Sequence, residues 1–347
     1  MSVESLTQEF EAIRAAGGVG DDPPGAAELG HSREGRPVRG WRFGRGDVRI
    51  SLVAGCHADE PVGPAFLRTL ARALGGRADE DPLLVDFEWW IVPHANPDGE
   101  ARNAAWSVPL GDAVDPVAYL TGAVRELPGD DVEFGFPRDA GDEAARPENR
   151  ALADWWRSAD APFHLHASLH GMAVAHGPWF LMEQDWAPRS ESLQRICAAA
   201  TASLGYELHD VDRGGDKGFW RIGPGFTTRP DSREMARYFR DHHDEATASR
   251  FRPSSMEMIR SLGGAPLTLV SEMPLLLLPP RHEPTPATSR ELTDWHGRLG
   301  AWQQRILAGE GDAVRDELHR AGIRAMPVAH QMLLQWTMIR AGAALVG

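Results

Sequence analysis

The sequence has one lysine, Lys217, two cysteines, Cys56 and Cys197, and three tyrosines in 347 residues. Two cysteines cannot frame a chain of this length with disulfides, so a reducing, cytoplasmic setting is expected. The first ten residues hold neither the basic nor the apolar stretch of a signal peptide, which agrees with that expectation. Lys+Arg total 36 against 50 Asp+Glu, a formal net charge of −14. Nucleic acid is therefore not expected as the main partner, because phosphate binding draws on net positive charge. The longest apolar run, Met273 to Pro280, is far shorter than the roughly 20 residues that span a bilayer, so no membrane partner is expected either. What is present, 42% hydrophobic and 25% charged residues, is the balance of a globular protein with a sizeable core.

Apolar patterning divides the chain. Leu6, Phe10 and Ile13 predict a short N-terminal helix over 2–16, followed by a Gly/Pro-rich loop. Strands are predicted over 38–43, 48–54, 87–92, 163–169, 179–183 and 267–272, with helices over 61–74, 149–157, 191–204, 233–251 and 254–262 between them. This alternation predicts an α/β fold with a mainly parallel sheet covered by helices. Residues 97–146, rich in Gly, Pro and Asp, are too long for a plain connector and are expected to form a wall of the active site. Helices over 288–308, 311–322 and 328–343 are expected as a C-terminal bundle whose apolar face offers a route to a homo-oligomer. The expected organisation is an N-terminal helix and loop (1–26), a catalytic domain (27–283) and a C-terminal helical extension (284–347).

The chemistry concentrates at strand ends. In Gly55-Cys-His-Ala-Asp-Glu-Pro-Val-Gly63, His57 and Glu60 lie three apart on a tight turn between strand and helix. Imidazole nitrogen and carboxylate oxygen are standard zinc ligands. A carboxylate at a helix N-terminus is also favoured by the helix dipole alone, so the pair by itself leaves both readings open. A third ligand is sought at another strand end. His164-Leu-His-Ala-Ser-Leu-His170 puts three histidines on one side of a strand. His170 is preferred for its place before Gly171, with His166 as the alternative. Glu272 ends an apolar strand, where a carboxylate is costly unless it is paired or working. It is the candidate general base.

Together these residues resemble the zinc carboxypeptidase family, typified by carboxypeptidase A and, in bacteria, murein peptide amidase. The resemblance rests on Leu29-Gly-His-Ser-Arg-Glu-Gly-Arg-Pro-Val38, Cys56-His-Ala-Asp-Glu-Pro-Val-Gly63, Asn96-Pro-Asp-Gly99, Ser168-Leu-His-Gly171 and Ser271-Glu-Met-Pro274, in the family's order. It covers residues from about 27 to 280. It implies a three-layer α/β/α fold with a mixed, mainly parallel eight-stranded sheet, and one zinc ion held by His57, Glu60 and His170. The implied activity is hydrolysis of a peptide or amide bond by activated water, with Glu272 as general base and then acid. Arg102, just after the Asn-Pro-Asp-Gly turn, is the best match for the arginine that stabilises the oxyanion.

One segment departs from the pattern. The family's Asp-Leu-Asn-Arg-Asn-Phe-Pro is represented by Asp131-Val-Glu-Phe-Gly-Phe-Pro137. The Asn-Arg pair that grips a substrate's terminal carboxylate thus reads Glu133-Phe134. A guanidinium clamp selects a free C-terminus, and Arg138, Arg146, Arg150, Arg250 and Arg252 are the candidates to replace it. Arg138, Arg150 and Arg252 are carried as substrate-binding candidates. Three readings follow: a carboxypeptidase acting on peptides, an N-acyl amino acid deacylase or amidase acting on acylated amino acids, and a catalytically silent zinc-binding module.

Overall fold

The computed structural model describes residues 1–18, 22–107, 113–281 and 286–347. Helix α1 (Val3–Gly17) opens the chain with a capping box between Ser2 and Ser5, and buries Leu6, Phe10 and Ile13 as their spacing predicts. Strands β1 (Ala27–His31), β2 (Pro37–Gly44) and β3 (Val48–Ala54) lead to α2 (Val62–Gly75), a short helix α3 (Pro82–Val85) and β4 (Phe87–Val92). The excursion holds α4 (Pro97–Ser107) and α5 (Pro116–Gly122) and runs into α6 (Pro147–Arg157); residues 108–112 of it lie outside the described residues. Then come β5 (Leu165–Ala175), β6 (Trp179–Met182), α7 (Glu191–Ser203), β7 (Arg221–Gly223), β8 (Phe226–Thr228), α8 (Ser232–Asp241), α9 (Glu245–Ala248), α10 (Ser255–Ser261) and β9 (Leu267–Leu277). The chain closes with α11 (Ser289–Leu307), α12 (Gly311–Arg320), β10 (Arg324–Ala325) and α13 (Val328–Val346). No helix among the described residues is long and apolar enough to cross a membrane.

One mixed sheet runs β1-β2-β4-β3-β5-β9-β6-β8-β7, with β10 paired to β9. The centre, β4-β3-β5-β9, is parallel, and antiparallel pairs flank it. Among the described residues the sheet has ten strands rather than the expected eight. Among the strands that the patterning did not predict, β7, β8 and β10 are two or three residues long, too short to carry a readable alternation. Helices cover both faces. On one lie α1, α2, α7 and α13, and on the other α6 and α10. Strand β4 shows how the period of two serves both layers: Trp89 joins the larger core with Trp336 at 6.1 Å, while Trp90 faces the opposite core beside Trp155 and Phe163.

Three expectations change. The helix expected over 233–251 is broken into α8 and α9 at His242-His243, where His243 has a positive φ of 61°. Strands β5 and β9 run to Ala175 and Leu277 rather than stopping near His170 and Glu272. Helix α13 is not an appendage. It packs on β3, β5 and β9 and against α1, α2 and α7, so its apolar residues lie within this chain's own core. Helices α11 and α12 rest on α5, and Arg315 of α12 makes a two-bond pair with Asp115 at 2.9 and 3.0 Å. The expected boundary at 283/284 falls outside the described residues.

Candidate metal centre and catalytic cleft

The site forms where the sheet's ladder stops. Pairing between β3 and β5 ends at Ala54 and Leu169, so the chain leaves β3 free to turn at Gly55 and His170 stands just past the last paired residue. Gly55 has φ +67°, and a Cβ there would lie 2.5 Å from the ring of His94, so the turn requires glycine on two counts. This turn brings His57 and Glu60 over the sheet edge. His57 Nδ1 lies 2.8 Å from Glu60 Oε1, His170 Nδ1 lies 2.9 Å from Glu60 Oε2, and the two Nδ1 atoms are 3.1 Å apart. Two imidazole nitrogens and a carboxylate converging on one point form a donor set that suits a cation such as zinc. Burial opposes the charge on Glu60, yet the two imidazoles and Arg125 hold its carboxyl well below the usual range.

Glu272 stands beside this set. It is the register partner of His170 across the parallel β5–β9 pair. Burial, reinforced by the nearby Glu60 carboxylate, pushes its carboxyl up to about 7, the range suited to proton transfer near neutral pH. His57, His170 and Glu272 line one cleft of about 320 Å³ together with Arg125, Glu133 and Arg229. Its remaining wall is largely apolar, with Leu181, Phe219, Met235, Phe251 and Val270. The excursion supplies Arg125, Glu126, Pro128, Asp131, Glu133 and Phe134 to the lining.

His166, the alternative third ligand, points elsewhere. It is fully buried, with Nδ1 3.0 Å from Ser51 Oγ and Nε2 3.2 Å from Ser255 Oγ, and so ties β5 to β3 and α10. Desolvation drives its pKa down to about 3. Arg102 does not reach the cleft. It lies on α4, pairs with Glu34 and stands 4.0 Å from Glu126. Arg125 lines the cleft instead, 3.1 Å from Glu60 Oε1 and 3.4 Å from Asp59 Oδ1. Tyr119 of α5 donates its hydroxyl to Asp59 Oδ2 at 3.2 Å.

The three arginines proposed to meet a substrate carboxylate also lie away from the lining. Arg138 donates to the Phe251 carbonyl, Arg252 pairs with Asp142, and Arg150 is exposed on α6. Arg229 is the further arginine in the cleft, 3.1 Å from Glu133. Neither Arg125 nor Arg229 had a sequence signal: one lies in irregular chain after α5 and the other follows a strand of three residues. The Asn-Pro-Asp-Gly turn is structural. Asn96 Oδ1 accepts from Gly99 N at 2.9 Å, and Asp98 accepts from Ser32 Oγ, Glu34 N and Arg36 Nη1 at 2.5, 3.0 and 2.8 Å, fastening the 32–36 loop to α4. Tyr238 stacks on His242 under Lys217 and is not part of the lining.

The chain is similar to known metallopeptidases. Residues 26–110 match the model of the zinc carboxypeptidase family. Carboxypeptidase D of Rattus norvegicus is 32% identical over 200 residues, and that of Mus musculus 33% over 199. Each match covers 47% of this chain but only 14% of the much longer relative. Among solved structures, a provisionally assigned metallopeptidase from Shewanella amazonensis SB2B shares the fold, with a TM-score of 0.51 and 13% identity over 99% of this chain and 93% of that one. The chain is thus similar to zinc carboxypeptidases over residues 26–110 and over the 200 residues aligned with carboxypeptidase D, and it shares its fold with the Shewanella protein.

Proposed function

We propose that this chain is a zinc-dependent hydrolase of peptide or amide bonds. The observation that carries the reading is the meeting of His57, Glu60 and His170 at one point, in the same cleft as a carboxyl held near neutrality, Glu272. Zinc, when bound by these three side chains, supplies Lewis-acid activation of water and of the scissile carbonyl. Glu272 takes a proton from the attacking water and returns it to the leaving nitrogen. Arg125, fixed by Glu60 and Asp59, presents a guanidinium toward the charge that develops on the carbonyl oxygen. The apolar wall around Phe219, Phe251 and Met235 suits an uncharged side chain or acyl group.

Amidase or deacylase action is favoured over strict removal of C-terminal residues by one observation. Phe134 stands where the family pattern has its carboxylate-gripping arginine, and both arginines of the cleft already have carboxylate partners. The test is a comparison of peptides with free and amidated C-termini alongside N-acyl amino acids, with zinc content measured in parallel. Comparable turnover of free and amidated peptides is expected. A preference of 100-fold or more for the free carboxylate, on the order of 3 kcal/mol, would restore the carboxypeptidase reading. Absence of zinc together with unchanged turnover in Glu272→Gln would remove the hydrolase reading.

A further inference from the structure

The segment that departs from the family pattern has a different neighbour from the one its position suggests. Glu133 is buried, and both of its oxygens are engaged: Oε2 is 3.1 Å from His170 Nε2, and Oε1 is 3.1 Å from Arg229 Nη2. The His170 ring is thereby divided between two tasks. Its Nδ1 faces His57 and Glu60, while its Nε2 faces Glu133 and, at 2.8 Å, Ser168 Oγ. A metal takes the lone pair of a neutral imidazole, so the ring proton has to sit on the opposite nitrogen. A carboxylate at that nitrogen accepts the proton, fixes the tautomer and ring orientation, and makes the ligand more basic. Arg229, whose side chain is only 6% exposed, holds Glu133 from behind.

We infer that Glu133 and Arg229 are positioning residues of the metal centre: Glu133 orients His170 through Nε2 and Arg229 fixes Glu133, so the 131–134 segment serves the metal rather than a substrate carboxylate. The inference rests on the zinc reading of the preceding section. Two other uses of the same atoms fit less well. Cys56, Glu133 and His170 also converge, as a second cation site would require, but a guanidinium on the other oxygen of Glu133 opposes a cation there. A substrate carboxylate on Arg229 would have to displace or share the bond to Glu133, which already balances its charge.

The test uses the full chain, stripped of metal and titrated with Zn²⁺ against a chromophoric chelator, and in parallel with Co²⁺ to record its visible ligand-field bands. Zinc affinity is expected to fall by about 10- to 100-fold in Glu133→Gln, with shifted Co²⁺ bands. Arg229→Met should fall in the same direction and Arg229→Lys should recover part of the loss, while the melting curves of the metal-free proteins stay close together. Wild-type affinity and Co²⁺ bands in Glu133→Gln overturn the inference while leaving the hydrolase reading in place. A wild-type chain that takes up no zinc overturns both. If Arg229→Met raises KM for carboxylate-bearing substrates at unchanged zinc affinity, Arg229 is a substrate residue and the inference fails for it. If Glu133→Gln does not fold, the Arg229 pair of variants makes the same measurement one bond further out.

Discussion

His166 and Glu272 stand on the neighbouring strands β5 and β9, and their surroundings set them to different tasks. Glu272 opens on the cleft with a carboxyl near 7, and Glu272→Gln, which keeps shape but cannot accept the proton, should lower kcat by at least about 100-fold with zinc content unchanged. Steady-state kinetics beside metal analysis checks this. His166 is sealed between Ser51 and Ser255 and stays neutral down to about pH 3, as does His209, where burial and then His176 depress the pKa to the same value. In the unfolded chain an imidazole takes up its proton near 6.5. Between these two values the unfolded state binds more protons, so stability rises with pH and is lost as pH falls. From pH 7 to pH 5 each imidazole should cost about 2 kcal/mol. Urea unfolding at both pH values should show a smaller loss in His166→Gln than in the wild-type chain, and an equal loss would exclude His166 as a source. The meeting of His57, Glu60, His170 and Glu272 was legible in the sequence because each sits in a short motif at a strand end. Arg125 and Arg229 were not, because both lie in irregular chain, one after α5 and one after the three-residue β8, whose course is decided by tertiary contacts.

At the scale of elements, the legible part is the parallel centre, where apolar runs of β3, β4, β5 and β9 are long enough to declare themselves. The break between α8 and α9 was hidden because His243 is a non-glycine residue with positive φ, a conformation that pattern does not announce. The turn at Gly55 decides where His57 goes. Gly55→Ala places a methyl group against His94 and forces a left-handed backbone on an L-residue, which costs about 1–2 kcal/mol before the clash is counted. Stability and zinc affinity should both fall, as thermal melting and chelator competition would show; an unchanged affinity would mean that the loop adapts. Helix α13 makes a separate prediction. Trp336 is fully buried against Trp89 and Phe66, so Trp336→Ala should destabilise the chain by about 3–5 kcal/mol, measured by urea unfolding. An appended helix would lose far less.

For the whole molecule, a bound metal stabilises only the folded chain, because the ligands come together only there. Free zinc at 1,000 times its dissociation constant should add about 4 kcal/mol, so a chelator should lower the melting temperature of the wild-type chain and leave that of a His57→Ala, His170→Ala double variant unmoved. Asp115, paired with Arg315 of α12, also caps α5 through the amides of Val117 and Ala118. Tyr119 of that helix holds Asp59, the neighbour of Glu60. A bonded route therefore leads from a C-terminal helix to the turn that carries His57 and Glu60, and it lies almost wholly outside the span 26–110 that matches the family model. Arg315 touches no residue of the cleft, yet its pair with Asp115 joins the C-terminal helices to the helix that holds the neighbour of Glu60.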